Sequence, residues 1–464
     1  MRVLKKLRKY FLLISGSVFI LSNTLSVFAG NNVNSLSKAS GLKKIPKLES
    51  ESAIVTDAKS GAVLLAKNPD KKQFPASITK VMTALLVLEK INDNCDDCTI
   101  VCSRNAVMSI ERGSSHIGIV PDEELHIRDA LNAMLLNSAN EVSNALAEYV
   151  SGDLDDFAEL MTERAKELGC KNTHFVNANG LHNDKHYTTA EDMSLILKEA
   201  MKHPLFREIV STVRSYVPAT NLTDEKRYLQ NGNRMIRKGT PYYYEKCTGG
   251  KTGFTKKALH TLVNTANDGN LYLISAVLKS RGRPDKWEDT KKMFDFCFKN
   301  FRNENLKDDD KENDFTKLKA LKTGDKSMVS EDSVLSYVEE EPTVTLPNDA
   351  DVDDLNLVAE VESDDKTGRL LKLTYTYNDC VAGECHVNEK FIENTPVDTY
   401  ADNGSGQIKS FNVVVIIISV AAVAVLLSVV YVFITIRRKK VSDNFLSRFK
   451  GNKKSLDISL LDKK

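Results

Sequence analysis

The chain has 464 residues, with 64 lysines and arginines against 63 acidic residues and a formal net charge of +1. That balance offers no basic surplus to a nucleic-acid partner. The length exceeds one ordinary domain, and a 42% hydrophobic composition allows a sizeable core, so two globular units plus targeting segments are expected.

A basic start, "MRVLKKLRKY", precedes the apolar run "FLLISGSVFILSNTLSVFA", with Val27 and Ala29 at the small-residue positions. Residues 1–29 therefore read as a secretory signal cut after Ala29; left uncleaved, the same run is a membrane anchor. A polar stretch, 30–44, is expected to be a tether. In "SAIVTDAKSGAVLLAKNPDK" two apolar runs alternate around "DAKSG", which predicts a β-hairpin. "QFPASITKVMTALLVLEKI" (Gln73 to Ile91) then predicts a helix that starts at Ser77. From Arg128 to Val150 helical periodicity is broken by Asn137, Ser138 and Asn140, and polar residues there need a reason.

Further on, Thr189 reads as a helix cap with Asp192 three residues later. "ALHTLVNTANDGNLYLISAVLKS" predicts two strands joined at "NDGN", and "KWEDTKKMFDFCFKNF" closes the region as a helix, with Trp287 in the core. Strands at both ends and helices between them imply an α/β or α+β domain over 45–305 whose terminal strands share a sheet. A charged run, "NENLKDDDKEND", leads into 306–395, read as a small all-β domain from its alternating pattern and acidic turns. A linker, 396–412, precedes "VVVIIISVAAVAVLLSVVYVFITI" (413–436), which is uncharged and long enough to span a bilayer. The basic tail 437–464 begins "RRKK", which predicts that this end is cytoplasmic and that residues of about 30 to 411 lie outside a single-pass plasma membrane.

The eight cysteines are Cys95, Cys98, Cys102, Cys170, Cys247, Cys297, Cys380 and Cys385. "CDDCTIVC" lacks the histidine or second CxxC pair that would complete a zinc set, leaving a local disulfide or free thiols. Cys380 and Cys385 bracket "VAGE", read as a hairpin-sized loop able to hold a bridge. "HNDKH" reads as a polar loop rather than a metal site.

Three short motifs carry chemistry. Ser-x-x-Lys occurs at Ser77/Lys80 and also at Ser35/Lys38, Ser40/Lys43 and Ser447/Lys450, but only the first opens a long apolar helix. The i, i+3 spacing puts Ser77 and Lys80 on one face. A serine at a helix N-terminus has free N–H groups and a dipole that stabilise a developing oxyanion, and desolvation lets a neutral lysine take its proton. Against this stands a simple helix cap with a snorkelling lysine. Ser-x-Asn occurs at Ser138/Asn140 and also elsewhere, as at Ser103/Asn105; the first breaks an apolar pattern, as a hydroxyl for proton relay and an amide for a substrate carbonyl would. Lys-Thr-Gly occurs at 251–253, 322–324 and 366–368. Only in "CTGGKTGFTKKALHTLV" does a glycine-rich approach lead into a strand edge that an extended peptide can join, with Lys251 as a nearby cation.

Taken in order, Ser77-x-x-Lys80, Ser138-x-Asn140 and Lys251-Thr252-Gly253 resemble the motif set of penicillin-binding proteins and serine β-lactamases. "AIVTDAKSGAVLLAKNPDKKQFPASITKVMTALL", "LLNSANEVSNALAE", "GCKNTHFVNANGLHNDKHYTTAEDMSLI" and "GGKTGFT" are similar to the low-molecular-mass D-alanyl-D-alanine carboxypeptidases over about 48–300. The resemblance implies a β-lactamase/transpeptidase-like domain with an antiparallel sheet flanked by helices. It implies that Ser77 attacks a D-Ala-D-Ala peptide bond, that Lys80 accepts its proton, and that an acyl-enzyme is hydrolysed. It further implies an oxyanion hole from the N–H groups of Ser77 and Phe254, help from Ser138 and Asn140 in proton transfer and substrate orientation, and a carboxylate held by Lys251 and Thr252. Gly253 completes that strand motif. An arginine commonly follows the Lys-Thr-Gly hairpin in the family; here the gapless position is Lys286, with Arg281 and Arg283 near.

The resulting expectation is a metal-free and cofactor-free serine carboxypeptidase acting on peptidoglycan stem peptides, with β-lactams as covalent inhibitors and no nucleic-acid partner. A β-lactamase or DD-endopeptidase on the same fold, and a non-catalytic wall- or β-lactam-sensing ectodomain, are the alternatives.

Overall fold

A computed structural model describes residues 35–94, 98–307, 313–323, 326–365 and 367–391. The expected signal, the linker, the span at 413–436, the cytoplasmic tail and Cys95 lie outside the described residues. Among the described residues no helix is long and apolar enough to cross a membrane.

The expected hairpin is β1 (Ser52–Asp57) and β2 (Val63–Lys67), and "NDGN" joins β4 (Leu259–Asn267) to β5 (Tyr272–Ser280); β3 (Cys247–Thr255) precedes them. These make one five-stranded antiparallel sheet in the order β2-β1-β5-β4-β3, so the first and last strands of the domain are neighbours, Ala53 opposite Val277. Strand alternation sends successive side chains to opposite faces. Ile54, Val263, Ile274 and Leu278 join one core, while Ala53, Val55, Leu262 and Val277 join another.

The first core is helical. It contains α1 (Lys80–Ile91), α2 (Ile127–Leu136), α3 (Asn140–Ser151), α4 (Leu154–Glu167), α5 (Ala190–Ala200) and α6 (Pro204–Ser211). α1 buries Val81, Met82, Leu85 and Leu88 here and has almost no polar face, the pattern of a central helix. α5 starts as expected, with the Thr189 side chain accepting from Asp192 N at 3.0 Å. Against the other face lies α7 (Asp285–Asn300), which brings Trp287, Met293 and Phe294. Leu36, on the short helix Leu36–Ala39, is buried in that same core, so part of the expected tether packs.

Beyond α7 come β6 (Phe301–Asn305), β7 (Ser333–Tyr337), β8 (Thr343–Pro347), β9 (Asn356–Asp364), β10 (Gly368–Tyr377) and β11 (Cys380–Phe391). β6 pairs with β8, and the other four form a sheet ordered β7-β11-β10-β9 over a core that includes Leu346, Leu371 and Val387. This region is not all-β: the helix Asn313–Ala320 contributes the buried Leu318. Its apolar positions are too few for the pattern to stand out in a charged run. Cys380 and Cys385, which a hairpin-sized loop would have allowed to bridge, are both thiols. "VAGE" lies inside β11, and five residue steps along the strand put the pair about 16 Å apart, well beyond the roughly 7 Å Cα limit of a disulfide.

Candidate active site

The segment before α1 is a 3-10 turn, Ala76–Thr79, rather than the first turn of the α-helix, and Ser77 makes no capping hydrogen bond. Ala76 sits at φ +53°, a strained conformation for a residue with a side chain. The surroundings hold it there. Thr261 on β4 donates from Oγ1 to the Pro75 carbonyl at 2.8 Å. From the other side Gly180, at φ +82°, approaches so closely that a Cβ built on it lies 2.0 Å from the Ala76 oxygen. Behind the turn, His186 Nδ1 accepts from Val176 N at 3.0 Å, which leaves Nε2–H to donate to Thr79 Oγ1 at 2.9 Å. Burial pushes this imidazole down to about 3, so it is neutral.

Lys80 is fully buried at 0% exposure. Its Nζ lies 3.2 Å from Ser77 Oγ, 2.7 Å from Asn140 Oδ1 and 2.5 Å from the Asn179 carbonyl oxygen. Desolvation first and Lys251 second hold its pKa well below the ordinary lysine value, with Glu141 opposing. The two carbonyl oxygens can only accept. A neutral amine must therefore spend its two N–H bonds on them, and its lone pair is left for the Ser77 hydroxyl. The arrangement can draw a proton from a serine.

Ser138 and Asn140 lie in the break between α2 and α3. Ser138 has φ +63°, and its buried Oγ has no hydrogen-bond partner among the described residues. Strain and an unsatisfied hydroxyl together mark a position kept for something other than stability. The decoy at Ser103 is different: its Oγ caps a short helix, accepting from Ala106 N at 2.9 Å.

β3 forms the opposite wall. Gly253 is required by contact, since a Cβ there would meet Thr261 Oγ1 at 2.3 Å and Ser77 N at 2.9 Å. The strand thus runs flush against the Ser77 amide. Lys251 is buried and pushed down to about 7, by burial first and then by Lys286. Thr252 is half-buried beside Gly232, whose ideal Cβ lies 3.0 Å from Thr252 Oγ1. Phe254 is 54% exposed, with its ring 4.6 Å from that of His260. Lys286, in the first turn of α7, is nearly buried, 4.8 Å above the Trp287 ring, and lowered to about 8 by burial, then by Arg283 and Arg234.

Ser77, Lys80 and Asn140 are therefore in direct contact, and Gly253 carries β3 to the Ser77 amide. Lys286 makes no hydrogen bond to this group among the described residues; its positive charge helps lower the Lys251 pKa. The sequence did not single out Asn179, whose carbonyl holds Lys80, or Glu141, Gly180, His186 and Thr261. Asn179, Gly180 and His186 lie in "THFVNANGLHNDKHYT"; Asn179 acts through its backbone carbonyl and Gly180 through close approach, which leave no spacing pattern, while His186, Glu141 and Thr261 act through side chains on segments far from Ser77 in sequence. Among the described residues no cluster of metal-ligating side chains is present.

A family profile described as D-alanyl-D-alanine carboxypeptidase, peptidase S11, matches residues 39–282. The chain is 34% identical over 256 residues to D-alanyl-D-alanine carboxypeptidase DacF of Bacillus subtilis, covering 54% of this chain and 63% of that protein. It is 30% identical over 268 residues to D-alanyl-D-alanine carboxypeptidase DacA of Escherichia coli, covering 56% and 64%. The match thus spans a little under two thirds of the length of these curated relatives. Among solved structures, a variant of Streptomyces K15 DD-transpeptidase is similar with a TM-score of 0.51 and 26% identity, over 55% of this chain and 100% of that one.

Proposed function

This chain belongs to the D-alanyl-D-alanine carboxypeptidase family, and we propose that it removes the terminal D-alanine from peptidoglycan stem peptides through an acyl-enzyme on Ser77. The observation that carries this reading is the position of Lys80 Nζ, held by two acceptor-only carbonyls with Ser77 Oγ at 3.2 Å.

In the proposed reaction the stem peptide lies along the edge of β3. Lys80 takes the Ser77 proton while Oγ bonds to the carbonyl carbon of the penultimate D-alanine. The carbonyl oxygen becomes an oxyanion, held by the N–H groups of Ser77 and Phe254; the contact between Gly253 and the Ser77 amide supports that pairing. The C–N bond then breaks, and the leaving amine takes a proton relayed from Lys80 through Ser138. Water hydrolyses the ester and frees Ser77. Lys251, Thr252 and Lys286 hold the terminal carboxylate, and Asn140 orients both Lys80 and the substrate amide. A lysine at position 286 gives a point charge where an arginine gives a bidentate fork.

We place the catalytic domain outside the plasma membrane, on the leader at 1–29 and the apolar run at 413–436 followed by a basic tail. Incubating the chain with a D-Ala-D-Ala stem peptide tests the reading: released D-alanine, abolished by Ser77→Ala, is expected. No release, or full release by Ser77→Ala, refutes it. Relative rates on penicillin, the terminal peptide and a cross-linked muropeptide separate carboxypeptidase from β-lactamase and endopeptidase.

A further inference from the structure

Glu141 follows Asn140 in the first turn of α3, and its side chain is 1% exposed. Carboxylates are almost never buried so deeply without a paired charge. Its Oε1 accepts from Ile117 N at 2.7 Å, while Oε2 has no hydrogen-bond partner among the described residues. The loop it touches is also tied to its neighbour, since Asn140 N donates to the Ser115 carbonyl at 2.9 Å. Two successive residues of α3 thus latch one loop, and the first of them also holds Lys80 through its side-chain oxygen at 2.7 Å.

A latch to one backbone N–H needs only a neutral acceptor, such as glutamine. Burying a full negative charge costs several kcal/mol more, so the latch alone does not account for a glutamate. What a carboxylate adds is attraction to a cation. The cation that the reaction creates here is the Lys80 ammonium, formed when Ser77 gives up its proton.

We propose that Glu141 is a positioning residue of the reaction, latching the 110–120 loop behind Ser138 and Asn140 and supplying the negative charge that offsets the Lys80 ammonium formed on acylation. The inference rests on the reading of Ser77 and Lys80 as nucleophile and base. The charges facing Lys80 agree with it. Lys251 on β3 opposes protonation of Lys80 and Glu141 on α3 favours it, while His186 stays neutral. On its outer side Glu141 lines a pocket of about 340 Å³ with Glu111, Arg112 and His116. Beneath it, Cys102 on the strand Thr99–Cys102 is pushed up to about 12 by burial and by the carboxylates Glu123, Glu141 and Glu148, with Arg227 opposing.

The test is the rate of Ser77 acylation by penicillin against pH, in the whole chain. Glu141→Gln keeps an acceptor for Ile117 N and removes the charge. Its acid limb is expected to move down by about one pH unit, a roughly tenfold change in neutral Lys80 on that limb, with a lower plateau rate. Glu141→Asp, which keeps the charge, should retain the wild-type limb. Glu141→Met is a second neutral variant should the glutamine chain not fold, since an apolar isostere of a buried charge is often tolerated. A limb superimposable on wild type in a folded neutral variant overturns the proposal, whatever the plateau does. So does failure of both neutral variants to fold while the aspartate chain folds, because the role is then structural. A wild-type chain that forms no adduct at Ser77 at any pH would instead remove the parent reading.

Discussion

Replacing Gly180 by alanine should destabilise the chain by about 2–5 kcal/mol, in two parts. The left-handed conformation at φ +82° costs a residue with a Cβ about 1–2 kcal/mol. The second part is steric. The new methyl would lie 2.0 Å from the Ala76 oxygen, 2.4 Å from its carbonyl carbon and 2.9 Å from Thr79 Oγ1. Two of these are backbone atoms that cannot rotate away, so the turn before Ser77 must shift, at about 1–3 kcal/mol for overpacking. Gly152 is the control, because it has the same φ of +82° and nothing within 4 Å; Gly152→Ala should show the conformational part alone. Urea unfolding of the two variants, compared by midpoint at constant slope, isolates the steric difference. Penicillin acylation should also fall much further in Gly180→Ala, since Asn179, its neighbour, holds Lys80. Equal midpoints and equal acylation in the two variants would refute the claim that Gly180 positions the nucleophile.

Arg227 donates to both oxygens of the fully buried Glu123, at 2.7 and 3.1 Å. Arg227→Met should cost about 3–5 kcal/mol in chemical unfolding by stranding a buried carboxylate; a loss under 1 kcal/mol would contradict that. Lys251 is lowered to about 7 and Lys286 to about 8, whereas unfolded lysines titrate near about 10.4. Between these values the unfolded chain binds more protons at these two side chains, so their contribution to stability should rise with pH from about 7 to about 10. Lys251→Met should flatten the rise, and an unchanged slope would contradict the depressed lysine. Unfolding in an alkylating agent without reductant should label both Cys380 and Cys385, and protection of the pair would mean that they are bridged.

Much of the frame is legible in the sequence because it follows from short-range pattern. Period-2 runs gave β1, β2, β4 and β5, and Thr189 announced the start of α5. The break at Asn137, Ser138 and Asn140 was visible because polar residues in an apolar helix demand an explanation. What escaped depends on long-range contact. Nothing near Lys80 signals that a carbonyl 99 positions away binds it, and a backbone atom has no residue type to read. The start of α1 was misplaced because Pro75 and Ser77 look like an ordinary helix entry; it is Thr261 and Gly180 that hold Ala76 in a strained 3-10 turn. Cys380 and Cys385 looked like loop ends because "AG" resembles a turn, yet β11 runs through them, paired with β10.

Mass spectrometry of the chain after penicillin treatment tests whether Ser77 is the nucleophile. One covalent adduct is expected, mapped to Ser77 and lost in Ser77→Ala. An adduct on another serine, or none, would contradict that role.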